Sequence, residues 1–346
     1  MRKNMGLADK IYLVCLRKGV KVSERLLRPI VLQTLRQRFY NKYPTALNIE
    51  TTNLCNLKCK MCPHELITRQ KGIMSMNLYK KILYDAKQFG IEELFLNNYG
   101  EPLLDPLIFE RIKLAKLFGF KCGFFTNGYY LTHENIEKLL EVQPDFIQIS
   151  FDGALKESYE AIRIGSNFEK VYKNVQNLIN RKKELELEKP NIIITCTMYP
   201  GIHKKEEYRL LQEMFKNADE IRLTIADNRR RDSNTINRLD LRSYPCPFVL
   251  WLGVVLVDGS VVPCCLDYNG TYPLGNVNDK TLSQIYNSSL YKEFIEMHIK
   301  GEGHKIDLCR DCDYLYSFTH WIRLLAGKHL NRIFDYFNQK YIFSQF

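Results

Sequence analysis

The feature that most constrains the fold is a repeated alternation of short apolar segments with longer amphipathic ones. The short segments are rich in β-branched and aromatic residues and predict strands, whereas the longer ones space their apolar residues as helices do. The six predicted strands are 46–51, 93–98, 121–126, 145–151, 191–197 and 220–225. The five predicted helices are 77–89, 106–117, 133–141, 168–187 and 204–216.

Strands separated by helices of this length pair in parallel through right-handed crossovers, so we predict an α/β fold with a partial (β/α)6 TIM-like barrel. The βα loops of such a barrel gather at the carboxyl ends of the strands, where we expect the chemistry. After residue 235, a turn signal at Asp258-Gly259 and a helix near 281–299 predict a small α+β domain. The predicted organisation is a basic, helical N-terminal extension (1–43), a core (44–235), the small domain (236–315) and a basic aromatic tail (316–346).

The eleven cysteines indicate metal binding rather than disulfides. They lie in short-spaced groups in a long chain whose first residues do not resemble an export signal. The apolar run 248–257 is far shorter than the roughly 20 residues of a membrane-spanning helix. We therefore expect a cytoplasmic protein.

The first cysteine group is Cys55, Cys59 and Cys62, directly after the first predicted strand. A [4Fe–4S] cluster is normally held by four thiolates, so three leave one iron open to the amine and carboxylate of an amino acid. A zinc site is the alternative for this loop. Zinc prefers four tetrahedral ligands, and His64 is the candidate for the fourth.

The CxxxCxxC spacing after the first strand of a sixfold β-α pattern resembles the radical S-adenosylmethionine (radical SAM) superfamily, over roughly residues 44–315. The resemblance implies a SAM-binding [4Fe–4S] cluster on Cys55, Cys59 and Cys62. It also implies reductive cleavage of SAM to methionine and a 5′-deoxyadenosyl radical that abstracts hydrogen from a substrate.

Further motifs stand at the successive strand ends where the family places its SAM contacts. Tyr99-Gly100-Glu101-Pro102 is similar to the GGEP-type motif that binds the methionine amine, with Tyr99 in place of the first glycine. By the same resemblance, Thr126 and Asn127 line the pocket, Ser150 and Asp152 contact ribose and carboxylate, Arg163 pairs with the SAM carboxylate, and Met61 presents its backbone to adenine.

The second cysteine group contains Cys246, Cys264, Cys265, Cys309 and Cys312. Neighbouring residues of a strand point to opposite faces, so we predict that Cys264 rather than Cys265 is a ligand. The segment around Cys264 resembles the SPASM domain of many radical SAM enzymes. Because no cysteine follows Cys312, it is most similar to the shortened "twitch" version, which implies one auxiliary [4Fe–4S] cluster on residues 246, 264, 309 and 312. A structural zinc ribbon is the alternative for this group.

Members with this arrangement include sugar-alcohol dehydrogenases, sulfatase-maturing enzymes and peptide-modifying enzymes. We therefore expect oxidation of a carbohydrate-like alcohol, in which the auxiliary cluster accepts an electron and a base takes the hydroxyl proton. Asp227, Arg229 and Arg230 are the candidates for the proton and substrate contacts, and an exposed charge run is the alternative interpretation of this segment. Cross-linking, epimerisation or maturation of a peptide, and modification of a glycan precursor, stay open.

The resemblance also implies an external electron donor such as flavodoxin or ferredoxin. The net charge of +11 attracts nucleic acids, anionic membranes and anionic substrates alike. The basic termini predict either a cover for the open side of the barrel or a peripheral membrane contact. A zinc-binding, nucleic-acid-associated protein is the alternative from another class, but the sequence carries no RRM, KH or zinc-finger signature.

Overall fold

The computed structural model describes residues 44–225 and 246–312, except 200, 205 and 311, together with residue 33. Within these residues it contains a nine-stranded sheet. Its first six strands are all parallel, in the order in which they follow one another along the chain, which confirms the predicted fold class. They are β1 (Ala46–Ile49), β2 (Glu93–Phe95), β3 (Lys121–Thr126), β4 (Phe146–Ser150), β5 (Asn191–Met198) and β6 (Glu220–Ile225).

In the described residues, six α-helices connect these strands, together with short 3-10 helices at Pro63–Leu66 and Pro102–Leu104. The six α-helices are α1 (Met76–Phe89), α2 (Ile108–Leu117), α3 (His133–Val142), α4 (Lys156–Ile162), α5 (Phe168–Glu184) and α6 (Glu207–Met214). Ser75, Thr132 and Asn167 begin α1, α3 and α5, because each side chain accepts a hydrogen bond from the backbone N–H three residues later. The short helix α4 was not among the predicted helices.

The main hydrophobic core lies between the sheet and these helices. On β1, β4 and β5, every second residue is apolar and enters this core, for example Leu47, Ile147 and Ile194, which have no exposed surface. Period-two alternation places the intervening side chains on the opposite face of the sheet, which we call the inner face.

The inner face carries an aromatic cluster on β2, β3 and β4. Phe95 lies at the centre, with ring centroids 5.4 Å from Phe146, 6.0 Å from Phe125 and 5.6 Å from Trp251. Edge-on and tilted arrangements are the favourable ones for aromatic pairs. Trp251 is 38% exposed, and Phe95 and Phe125 are half-buried, so solvent also reaches this part of the inner face.

Nearer the carboxyl ends the inner face becomes polar. Gln148 and Ser150 of β4 stand beside residues 193 and 195 of β5, and Thr197 stands beside Thr224 of β6 with 3.3 Å between their hydroxyl oxygens. Gln148, Ser150, Thr195 and Thr197 are half-buried, and Thr224 is exposed. This polar patch of residues 148, 150, 195, 197 and 224 therefore opens on the end of the sheet where we expect the chemistry.

The C-terminal domain continues the same sheet. It contains α7 (Pro247–Trp251), β7 (Leu252–Val255), β8 (Ser260–Val262), β9 (Gly275–Asn276), α8 (Leu282–Tyr286), α9 (Ser289–Ile299) and α10 (Asp307–Arg310). β7 pairs with β1 in parallel, from Ala46 beside Leu252 to Ile49 beside Val255. The predicted Asp258-Gly259 turn joins β7 to β8 as an antiparallel hairpin. The strand order across the whole sheet is β6-β5-β4-β3-β2-β1-β7-β8-β9.

The helix expected near 281–299 is two helices. Thr281 begins α8 with a capping box in which its side chain and that of Gln284 bond each other's backbone. Ser288 then begins α9 by accepting from the N–H of Tyr291. A second N-cap interrupts the helix, because a serine side chain that accepts from the following turn starts a new helix.

Several sequence predictions lie outside the described residues. They concern the N-terminal extension, the aromatic tail, and the candidate residues Asp227, Arg229 and Arg230. Among the helices that are described, none has the length and hydropathy that a membrane crossing requires.

Candidate active site and auxiliary cluster site

The three cysteines of the first group lie in a loop that leaves β1 and is held by hydrogen bonds of its backbone. The backbone N–H groups of Lys58 and Lys60 donate to the carbonyls of Ile164 and Ile162, at 3.0 and 2.9 Å. Within the loop, the N–H of Cys62 donates to the carbonyl of Cys59. The three thiols are thereby placed beside the end of α4, at the carboxyl ends of the strands.

The sulfur environment is one of low solvent access. Cys59 is buried, and Cys55 and Cys62 are half-buried. Burial raises the pKa of Cys55 to about 12, and it also raises the pKa of Cys59, against the lowering effect of the Arg163 guanidinium. The thiols of Cys55 and Cys59 are therefore protonated without metal, and binding of iron must release these protons.

Three thiols in one loop fit a [4Fe–4S] cluster with one open iron. The candidate fourth zinc ligand, His64, is buried and its Nε2 lies 2.9 Å from the carbonyl oxygen of Asn53. In the part of the chain that the structure describes, no three His, Cys, Asp or Glu side chains surround a single metal-ion position. Thiolates of a cube bind different irons and do not converge on one point.

Glu101 is the buried acceptor beside this loop. Its carboxylate accepts from the Thr126 hydroxyl at 2.6 Å, from the N–H of Asn127 at 2.8 Å and from the N–H of Leu103 at 3.2 Å. Burial raises the pKa of Glu101 above its usual value, although these hydrogen bonds act to lower it. The Asn127 amide in turn donates to Asn56 of the cysteine loop at 2.9 Å. Two predicted SAM-binding motifs and the cluster loop thus form one hydrogen-bonded unit.

The two residues before Glu101 have distinct reasons for their identity. A Cβ on Gly100 would lie 2.1 Å from the carbonyl oxygen of Thr52, so only glycine fits there. Tyr99, which replaces the first glycine of the family motif, is buried and packs edge-on against Tyr268 of the C-terminal domain with centroids 5.9 Å apart. The tyrosine therefore joins the two domains.

Asp152 and Arg163 form a second buried unit. The guanidinium donates to Asp152 Oδ2 through Nε at 2.6 Å, and its Nη1 lies 3.5 Å from Cys59 Sγ. Burial acts to lower the pKa of Arg163, but the negative charge of Asp152 outweighs this effect and raises the pKa. Arg163 thus pairs with Asp152 and lies beside the cysteine loop. Its predicted pairing with the SAM carboxylate stays a prediction.

The remaining predicted SAM contacts lie at the same edge of the sheet. Ser150 ends β4 on the inner face, Pro102 is buried behind Glu101, and Met61 is half-buried in the cysteine loop. Their roles toward ribose, methionine and adenine stay predictions.

Two residues that the sequence analysis missed hold the loop after β4. His203 accepts from the N–H of Tyr199 at 2.8 Å, and its Nε2 lies 3.3 Å from the carbonyl oxygen of Asp152. Glu207 accepts from the hydroxyl of Ser158 at 2.5 Å and from the N–H of Ala154 at 3.1 Å. A single histidine and a single glutamate near a predicted helix carry no motif, so no sequence signal identified them.

Glu50 and Arg69 connect the core to the C-terminal domain and were also missed. Glu50 has no exposed surface, and its two oxygens accept from the two terminal guanidinium nitrogens of Arg69, both at 2.9 Å. Glu50 also accepts from the N–H of Val257 at 3.0 Å, and Arg69 donates from Nε to the carbonyl of Tyr268 at 2.7 Å. A buried bidentate pair thus fixes the second domain beside the cysteine loop.

The second cysteine group lies in the C-terminal domain around α7, the loop after β8, and α10. A hydrogen bond with Cys265, burial, and the charges of Cys265 and Cys246 together raise the pKa of Cys264 well above its usual value. Cys309 lies 3.5 Å from His298, which also faces the backbone N–H of Cys246. The N–H of Cys312 donates to the carbonyl of Cys309. The predicted ligands 246, 264, 309 and 312 therefore come from one neighbourhood.

The alternation of side chains along a strand does not distinguish Cys264 from Cys265. β8 ends at Val262, so both cysteines lie in a turn, where side chains do not alternate between two faces. The packing nevertheless differs. Cys264 contacts the main core together with Cys309, whereas Cys265 contacts a separate cluster of Val254, Leu256 and Val262. The choice of Cys264 stays a prediction.

Two family models match the chain. The radical SAM superfamily matches residues 49–221, and an iron–sulfur cluster-binding domain named SPASM matches residues 246–313.

Two curated relatives span most of this chain. The "Tungsten-containing aldehyde ferredoxin oxidoreductase cofactor-modifying protein" of Pyrococcus furiosus is 23% identical over 316 residues, covering 77% of this chain and 86% of that protein. The "S-adenosyl-L-methionine-dependent 2-deoxy-scyllo-inosamine dehydrogenase" of Niallia circulans is 22% identical over 284 residues, covering 79% of this chain and 94% of that one.

Solved structures share the fold. BtrN in complex with AdoMet and 2-DOIA has a TM-score of 0.57 and 20% identity, covering 80% of this chain and 95% of BtrN. Native anSMEcpe with bound AdoMet has a TM-score of 0.59 and 19% identity, covering 81% of this chain and 96% of anSMEcpe. Family membership implies a SAM-binding [4Fe–4S] cluster and auxiliary iron–sulfur binding, in agreement with the two cysteine groups. The chain belongs to the radical SAM superfamily, and its C-terminal part is a SPASM iron–sulfur cluster-binding domain.

Proposed function

We propose that this enzyme oxidises a small hydroxyl-bearing substrate of carbohydrate-like chemistry, bound at the polar patch of the inner face. The observation that carries the proposal is the placement of that patch. Gln148, Ser150, Thr195 and Thr197 stand on the two strands whose carboxyl ends lie beside Asp152 and Arg163.

The chemistry of the patch favours a polyhydroxylated molecule. Hydroxyl and amide side chains exchange hydrogen bonds with substrate hydroxyls, whereas an apolar substrate would bury these groups without partners, at about 1–3 kcal/mol each. The Niallia circulans relative, whose name is that of a 2-deoxy-scyllo-inosamine dehydrogenase, supports the same substrate class.

The proposed reaction balances as a two-electron oxidation. When bound at the first cluster, SAM would take up one electron, release methionine and supply the 5′-deoxyadenosyl radical that removes a hydrogen atom. The substrate loses this hydrogen atom from its carbinol carbon, a proton from the hydroxyl and one further electron, and becomes a carbonyl compound. We propose that this electron leaves through the C-terminal cluster. We further propose that Asp227, Arg229 or Arg230 contacts the proton or the substrate. The proposed electron donor of the first cluster is flavodoxin or ferredoxin.

The first experiment determines the metal content. After anaerobic reconstitution we expect about eight irons in the wild type and about four in a Cys55/Cys59/Cys62→Ala triple variant, as two [4Fe–4S] clusters require. SAM should change the electron paramagnetic resonance spectrum of the wild type only. Zinc without iron would contradict the cofactor assignment.

The second experiment tests the reaction. Cyclitols, aminocyclitols and sugars deuterated at the carbinol carbon are incubated with reduced enzyme and SAM. We expect deuterium in 5′-deoxyadenosine and one carbonyl product per 5′-deoxyadenosine, with no turnover by the triple variant. Solvent deuterium entering the product in D2O, with no carbonyl formed, would replace oxidation by epimerisation.

Peptide modification is the second candidate function. It is favoured by the shared fold with Streptococcus suis SuiB bound to precursor peptide SuiA, at a TM-score of 0.58 and 15% identity over 82% of this chain. The same deuterium assay with a peptide library distinguishes the candidates.

A peripheral membrane contact of the basic termini is a separate proposal, and binding of the protein to vesicles of anionic lipid tests it.

A further inference from the structure

His298 of α9 is a buried histidine that the chemistry above does not use. Only 4% of it is exposed, and its ring lies against Phe294 with centroids 4.9 Å apart. A Cβ on Gly303 would lie 3.0 Å from the ring atoms Cε1 and Nδ1. The ring is therefore held on both sides in a position that leaves it little freedom to rotate.

Both ring nitrogens face segments that carry predicted ligands of the auxiliary cluster. The backbone N–H of Cys246 donates to Nδ1 in a long hydrogen bond of 3.5 Å. Nε2 lies 3.5 Å from the sulfur of Cys309, an ordinary distance for a hydrogen bond to sulfur. These two cysteines are 63 positions apart in the sequence, and the His298 ring contacts both segments.

The two contacts decide which nitrogen carries the proton. Nδ1 accepts a hydrogen bond and so presents its lone pair to Cys246. The ring proton of the neutral imidazole is then on Nε2 and points at Cys309 Sγ. An apolar side chain would fill this buried position at lower cost, because an imidazole must keep its hydrogen bonds when it is buried.

We propose that His298 is a positioning residue that raises the reduction potential of the auxiliary cluster by donating an Nε2–H hydrogen bond to the Cys309 thiolate. Hydrogen bonds to cluster sulfurs are one of the determinants of iron–sulfur potentials. The reduced cluster carries one more negative charge, so a donor at a ligating sulfur stabilises the reduced state more than the oxidised one. A higher potential suits a cluster that accepts the substrate electron. The inference rests on the acceptor role proposed above, but its test requires no substrate.

The test uses the Cys55/Cys59/Cys62→Ala background, in which the auxiliary cluster alone remains. Its midpoint potential is measured by a redox titration followed by electron paramagnetic resonance, together with its iron content. His298→Phe fills the same space without a donor, His298→Gln places an amide N–H near the Nε2 position, and His298→Asn reaches only the Nδ1 position. The Gln and Asn variants are therefore matched in chemistry and differ in reach toward Cys309.

We expect His298→Phe and His298→Asn to keep the cluster irons and to shift the one-electron equilibrium about tenfold toward the oxidised cluster, which is about 59 mV lower in potential. His298→Gln should recover most of this shift. Equal potentials in the parent and the Phe and Asn variants would overturn the proposal. Loss of cluster iron in all three variants would also overturn it, because His298 would then be a ligand or a purely structural residue. Substrate oxidation can fail independently of either result, since it depends on the proposed function.

Discussion

Replacing Glu50 by glutamine should destabilise the enzyme by about 3 kcal/mol. The carboxylate has no exposed surface and accepts from two guanidinium nitrogens of Arg69, from Val257 N–H and from the amide of Asn98 at 3.3 Å. Removing one partner of a buried ion pair costs about 3–5 kcal/mol, because the other charge stays buried without compensation. Glutamine retains one oxygen acceptor, so we expect the lower end of this range.

Urea unfolding followed by circular dichroism measures this effect under anaerobic conditions. With a slope of about 3 kcal/mol per molar urea, the midpoint should fall by about 1 M. Glu93→Gln makes the same chemical change in the surface pair of Glu93 with Lys121, whose lysine side chain is 60% exposed, and should cost at most about 1 kcal/mol. Equal midpoints for the two variants would refute the role given to Glu50 in joining the domains.

Three further predictions concern the cluster sites. Gly100→Ala should abolish soluble, cluster-containing protein, because its Cβ would overlap a backbone carbonyl, whereas Gly72→Ala, with open space around it, should retain normal iron content. Glu101→Gln should weaken SAM binding at least about tenfold in a spectroscopic titration without loss of iron, because it removes one acceptor oxygen from the carboxylate that Thr126 and Asn127 hold beside the loop; unchanged affinity would contradict this role. Cys264→Ser should lose auxiliary-cluster iron while Cys265→Ser retains it, and the reverse result would exchange their assignments.

Much of the core was predictable because its signals are local. The short strand-like segments between helical ones placed all six parallel strands within a few residues of their observed bounds, because β-branched and aromatic residues favour strands locally. The three-cysteine loop and the strand-end motifs were readable because parallel strands bring their carboxyl ends to one edge. The short helix Lys156–Ile162 was missed because seven residues carry too little periodicity.

The pairing of β7 with β1 could not be predicted. Leu252–Val255 is a short apolar run that reads equally well as an edge of a separate hairpin domain, and its partner strand lies some 200 positions earlier. β7 is buried on both faces, with one face in the main core and the other against Leu256 and Val262. This burial on both sides selects the position of β7 beside β1.

The alternation of strands and helices, the spacing of the two cysteine groups and the resemblance to the family could all be read from the amino-acid sequence. Each of these depends on residues close together in the chain. The tertiary structure decided which distant groups meet: Glu50 with Arg69 and Val257, and His298 with Cys309 and the backbone of Cys246. The physical reason is that a buried charge or imidazole is stable only with specific partners, and those partners are chosen by the packing of whole elements rather than by neighbouring residues.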